Sequence, residues 1–113
     1  MARRNPRGGS QLPAVRRRID HLDEQLLRLL NQRARLALEI GRIKKRRKWP
    51  VFDAWREAIV LRHVLSANRG PLSARAIRHV FQAILCECRR RERRAKDPIR
   101  PQSIVDGPQS DNN

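Results

Sequence analysis

From Leu12 to Ile43, apolar residues recur at alternating steps of three and four: Leu12, Val15, Ile19, Leu22, Leu26, Leu29, position 33, Leu36, Ile40 and Ile43. This is a heptad seam, the signature of a helix that packs lengthwise against another helix, and only Arg33 interrupts it. Pro13 suits a first helical turn, and Trp49-Pro50 disfavours continuation, so a helix is expected from Pro13 to Lys48. At 1.5 Å per residue that helix would be about 54 Å long. A compact chain of this size has a radius of gyration of only about 13 Å. The seam therefore overhangs any core this chain can build by itself.

Two shorter helices follow. Asp53 is placed to cap a helix over Ala54–Ala67, which Asn68-Arg69-Gly70-Pro71 ends. Ser73 caps a third, with Leu72 and Ile77 spaced as a hydrophobic staple. That helix is expected to bury Ile77, Val80, Phe81, Ile84, Leu85 and Cys88 and to stop before Asp97-Pro98. These helices would be about 21 and 33 Å long, so neither covers the first. No strand alternation appears. The expected fold is all-α, with three helices per chain and a second copy completing a homodimer.

The chain has 113 residues, room for one domain with tails. Residues 1–11 and 96–113 read as flexible tails around a helical domain at 12–95, because they carry Arg, Gly, Pro, Ser and Asn without periodicity. No stretch approaches the roughly 20 apolar residues of a membrane span. MARRNPRGGS lacks the apolar core of a secretory signal. Cys86 and Cys88, two apart on a helix, point about 200° apart and cannot pair, which suits a reducing cytoplasm. With 27 Lys+Arg against 11 Asp+Glu the net charge is +16. Such an excess points to an anionic partner, without separating nucleic acid from a small acid.

Arg33 has two readings. A single polar residue in a seam can fix register, but a desolvated guanidinium needs an anion, and no acid on the first helix lies three or four residues away. Lys44 lies eleven residues further on, about 20° around and about 16 Å along the helix. The run from Lys45 to Lys48 reads as a solvated face. Glu92 continues the apolar stripe of the third helix, although spacing alone favours a surface pair with Arg89. Arg56 and Glu57 read equally well as first-turn charges. Arg16, between other arginines, says little by itself. His21, His63 and His79 have no metal-ligand spacing, and no phosphate loop or nucleophile motif appears.

Three stretches carry a resemblance: VRRRIDHLDEQLLRLLNQRARLALEIGRIK, PVFDAWREAIVLRHVL and GPLSARAIRHVFQAILCECRRRE. Over about residues 12–95 the chain resembles the all-helical (type II) chorismate mutase family. The pattern ID-x-LD-x-x-LL-x-LL-x-x-R, the following IG-x-x-K, and D-x-x-RE occur in that order at the family's spacing.

The resemblance implies an intertwined, domain-swapped homodimer with two sites, each built from both chains. It implies rearrangement of chorismate to prephenate, a concerted process needing no cofactor and no metal. Catalysis would rest on holding the reactive conformer and stabilising charge on the ether oxygen. By the same resemblance, Arg33 and Arg16 clamp the two substrate carboxylates, with Arg16 reaching in from the partner chain. Along one helix these two arginines are about 25 Å apart, too far to share a small dicarboxylate. Lys44 matches the lysine that serves the ether oxygen. Asp53 and Glu57 match the region at the ring hydroxyl, with Arg56 beside them, and Cys88 and Glu92 match the last two site positions. Serine is commoner at the position of Cys88, and glutamine is frequent at that of Glu92. A carboxyl donates only when protonated, so activity is expected to fall as pH rises.

Relatives on this scaffold cleave isochorismate to pyruvate and salicylate, or rearrange aminodeoxychorismate; the Asp53, Arg56 and Glu57 match leans towards the mutase. Some small members depend on an earlier enzyme of the pathway, which leaves an activating partner open. The rival from another class is a basic helical nucleic-acid-binding protein. Its basic runs lack interleaved aromatics, no helix-turn-helix or zinc signature appears, and Arg33 would go unexplained.

Overall fold

The computed structural model describes the backbone of residues 6–95 and the side chains of residues 11–95. Helix α1 spans Pro6–Arg47, α2 Ala54–Ala67 and α3 Ala74–Arg93. Among the described residues there is no strand. Residues 6–11, expected within the N-terminal tail, lie in the first turns of α1. Pro6 sits in the first turn, where a missing N–H is harmless, and Pro13 inside the helix removes a single backbone hydrogen bond. Residues 1–5 and 96–113, the rest of the expected tails, lie outside the described residues.

The chain divides into two units, one ending at Arg33 and one beginning at Ala34. In the first, the seam residues from Leu12 to Leu29 are exposed, as are Leu27 and Leu30. In the second, Leu36, Ile40 and Ile43 continue that exposure, and over the apolar seam residues it ranges from 39% to 60%. The leucine seam is thus not the core of the chain.

The packing inside the second unit uses different residues. Ala37 and Gly41 are buried one turn apart on α1, and Val60 of α2, Leu85 and Cys88 of α3 and Ala95 just beyond complete the buried set. α2 packs on α3. Val80, expected in the core, is exposed. Leu72 is exposed too, so the expected staple with Ile77 is not a buried contact.

The connections follow from local chemistry. After Arg47 the helix closes in a left-handed turn at Lys48, φ 58°. The Trp49 N–H donates to the Lys44 carbonyl at 2.8 Å and the Lys48 N–H to that of Lys45 at 3.3 Å, which is the Schellman pattern. Pro50 then prevents further helix. Asp53 caps α2 by accepting from the Arg56 N–H at 3.0 Å, and Ser73 caps α3 by accepting from the Ala76 N–H at 3.1 Å. Between them Gly70, at φ 78°, takes the left-handed conformation that a side chain would disfavour. Its N–H donates to Asn68 Oδ1.

Candidate active site

Ala37, Gly41 and Lys44 recur at steps of four and three, so they share one face of α1. This face meets the end of α3 at very short range. A Cβ built on Gly41 would lie 2.6 Å from the Glu92 carbonyl oxygen and 2.8 Å from both Glu92 Cα and Ala95 Cβ. Ala95, only 1% exposed, fills the space opposite. The Lys45 Nζ donates to the Ala95 carbonyl and ties the two elements at the same level.

One turn past Gly41, this close approach carries Lys44 to α3. Its Nζ donates to Glu92 Oε1 at 2.8 Å and to the Val51 carbonyl at 2.7 Å. The side chains are 14% and 15% exposed, so the ion pair is largely withdrawn from water. An ammonium has three N–H groups, so one remains for another acceptor. The Val51 carbonyl is available because the left-handed turn at Lys48 folds the connection back over Lys44.

A second ion pair joins α2 to α3. Arg89 Nε donates to Glu57 Oε2 at 3.3 Å, with side chains 19% and 23% exposed, and the guanidinium carbon sits 5.0 Å from the centre of the Phe52 ring. This corrects the expected Arg89–Glu92 pair along the helix. Each charge instead finds an opposite partner on another helix, in a less watery setting where the attraction is stronger than on an exposed helix face. A pair of the exposed kind does occur one residue on, between Arg90 and Glu87 at 3.2 Å.

The remaining expected residues take different places. Asp53 is exposed and its Oδ1 serves the α2 cap. Arg56 is exposed. Cys88 is buried on α3, one turn before Glu92. Arg33, half-buried, and Arg16, exposed, belong to the first unit. The structure therefore brings Lys44 to Glu92 and Glu57 to Arg89 near the end of α3, where Cys88 is buried one turn before Glu92. Arg89 was not singled out from sequence as a site residue. Its signal was present nonetheless: Leu85, Cys88, Arg89 and Glu92 follow the three-four helical spacing of one face.

Chemically, the cluster offers a nearly buried ammonium and carboxyl groups at its flanks. Such a set can grip an anionic or hydroxylated small molecule and meet negative charge as it develops. Among the described residues, no three His, Cys, Asp or Glu side chains gather as metal ligands would. A separate open hollow of about 520 Å³, lined by Ser73, Arg75, Ala76, Arg78, His79 and Gln82, shares no residue with this cluster.

Residues 15–93 match the family model described as chorismate mutase type II. A bifunctional chorismate mutase/prephenate dehydratase from Pseudomonas aeruginosa is 42% identical over 83 residues, covering 69% of this chain and 23% of the relative. The protein of the same description from Aquifex aeolicus is 34% identical over 90 residues, covering 76% of this chain and 25% of the relative. The chain thus spans about a quarter of the length of these relatives. Among solved structures, a chorismate mutase (Form II) from Thermus thermophilus superposes with a TM-score of 0.75 at 32% identity, covering 77% of this chain and 99% of the other. The match takes in all three helices, and the chain belongs to the type II chorismate mutase family.

Proposed function

We propose that this chain catalyses the rearrangement of chorismate to prephenate within aromatic amino-acid biosynthesis. The observation that carries the proposal is Lys44, held on one side by Glu92 and on another by the Val51 carbonyl, with one N–H left over. A lysine so fixed can donate to the ether oxygen, where negative charge grows as the C–O bond breaks. Its orientation is set before substrate arrives, so no reorganisation is needed at the moment of reaction.

In this reading the protein forms no covalent intermediate. Arg33 and, from a partner chain, Arg16 hold the two carboxylates and select the compact conformer in which the bond-forming carbons meet. Glu57 and Asp53, with Arg56 beside them, face the ring hydroxyl. Cys88 is a weak donor, and Glu92 donates to the ether oxygen when protonated. The intertwined homodimer belongs to the same reading. Its support is the seam from Leu12 to Ile43, exposed throughout except at the half-buried Arg33 and too apolar to be left in water. No described helix is long and apolar enough to cross a membrane; a cytoplasmic location is part of the same reading.

The test is to incubate the purified chain with chorismate and, separately, isochorismate, and to identify the products. Prephenate from chorismate supports the reading; pyruvate and salicylate from isochorismate would replace it with the lyase. The shared site has its own test. Arg16→Ala and Glu92→Ala homodimers should each be inactive, whereas chains exchanged between them should regain one intact site per mixed dimer. Failure to recover activity would argue against Arg16 acting across the interface.

A further inference from the structure

Arg89 is held on two sides, and the proposed function gives neither contact a role. Its Nε donates to Glu57 Oε2 at 3.3 Å across 32 residues of sequence, and its guanidinium lies over Phe52 at 5.0 Å. The neighbouring Arg90 pairs with Glu87 on its own helix, where both side chains stay at least 60% exposed. Arg89 is withdrawn from that solvated surface and committed to an acid in the first turn of α2. The other acid at this helix start, Asp53, uses Oδ1 as the cap. Glu57 is therefore the carboxylate of this turn that a second helix holds in place.

A glutamate has several side-chain torsions, and fixing them costs free energy on binding unless they are already fixed. A charge-assisted bond from a guanidinium held over an aromatic ring supplies that restraint. It engages one oxygen of the carboxylate, and the other keeps its lone pairs. We infer that Arg89 is a positioning residue that holds Glu57 by Oε2, with Phe52 as its platform, so that Oε1 faces the ring hydroxyl of the substrate. This assignment rests on the function proposed above. The hydroxyl takes no part in the bonds that break and form, so its contact is equally strong in ground and transition states. Losing it raises KM and leaves kcat unchanged.

The experiment compares kcat, KM and thermal unfolding for the unmodified chain, Arg89→Ala, Arg89→Lys, Glu57→Ala, the Glu57→Ala/Arg89→Ala double variant and the milder Phe52→Leu, with chorismate as substrate. Arg89→Ala should raise KM about tenfold, equivalent to about 1.4 kcal/mol, with kcat within about twofold. Arg89→Lys should recover part of that loss, and Phe52→Leu should raise KM about threefold. In the Glu57→Ala background, Arg89→Ala should change KM no further, because nothing is left to position. A KM that falls in Arg89→Ala would mean the pair shuts the site, and overturns the assignment. So would a full additive effect on top of Glu57→Ala, or a loss of kcat and thermal stability with KM unmoved. If the unmodified chain turns over neither chorismate nor isochorismate, the functional reading fails and the assignment with it. Turnover by the unmodified chain together with any of the overturning results removes the assignment alone.

Discussion

Lys44 and Glu92 are 48 residues apart in sequence and 2.8 Å apart in space, one on α1 and the other on α3, with side chains 14% and 15% exposed. Their meeting depends on Gly41, one turn earlier on α1, because no side chain there keeps the two helices apart. The pair thus joins the packing of the chain to the chemistry proposed for it, and several measurable consequences follow from that joint position.

Replacing Lys44 by methionine keeps the length of the side chain and removes its charge and donors. Glu92 and the Val51 carbonyl then lose their partner in a place with little access to water. We expect a loss of about 2 kcal/mol in unfolding free energy, read from urea titration. The kcat should fall at least about a hundredfold, the scale of removing one preorganised donor to a developing oxyanion. Full activity in a folded Lys44→Met protein would remove Lys44 from the mechanism.

At Glu92 the prediction concerns pH. A carboxyl donates a hydrogen bond only while it holds its proton, whereas an amide donates at any pH. Glu92→Gln, which can donate to the ether oxygen at neutral pH, should therefore match or exceed the unmodified chain in kcat/KM there. A folded Glu92→Gln protein with a much lower kcat/KM would sink the idea.

Gly41→Ala sets helix propensity against packing. On an open helix face the change would favour the helix by about 1 kcal/mol. Here the new methyl would lie 2.6 Å from the Glu92 carbonyl oxygen and 2.8 Å from its Cα, both backbone atoms that cannot turn aside. Separating α1 from α3 should cost about 1–3 kcal/mol and outweigh the propensity gain. The same displacement should lengthen the Lys44–Glu92 contact, so stability and activity are expected to fall together. Denaturant unfolding and steady-state kinetics on this variant check both.

Lys48→Gly should act in the opposite direction. Lys48 holds φ 58° in the turn that ends α1, a conformation that costs a side-chain-bearing residue about 1 kcal/mol and glycine nothing comparable. The substitution should raise the urea midpoint by an amount worth about 0.5–1 kcal/mol, with kcat/KM unaltered. A lowered midpoint would mean that the Lys48 side chain contributes more than its backbone costs.

The two halves of this molecule were unequally readable. The three helices and the caps at Asp53 and Ser73 were legible because helix period, capping chemistry and proline are local properties of the chain. The start of α1 was not, since Pro13 stops a helix only when nothing else supports the turns before it, and α1 runs from Pro6. The heptad seam was equally plain, whereas the face that packs within the chain left no such pattern. The described unit packs through Ala37, Gly41 and Ala95, small residues whose value lies in how closely they let helices approach, and composition gives that little weight.

By itself the amino-acid sequence determined the helical architecture, an apolar seam too long for its own core, and the motif order shared with the type II chorismate mutases. Only the tertiary structure decided which charge meets which. Arg89 could have paired with Glu92 on its own helix, and spacing favoured that, but α2 presents Glu57 to Arg89 and α1 presents Lys44 to Glu92. The physical reason is that an ion pair's strength depends on the water around it. That water is excluded by contacts between helices far apart in sequence, which no local pattern records.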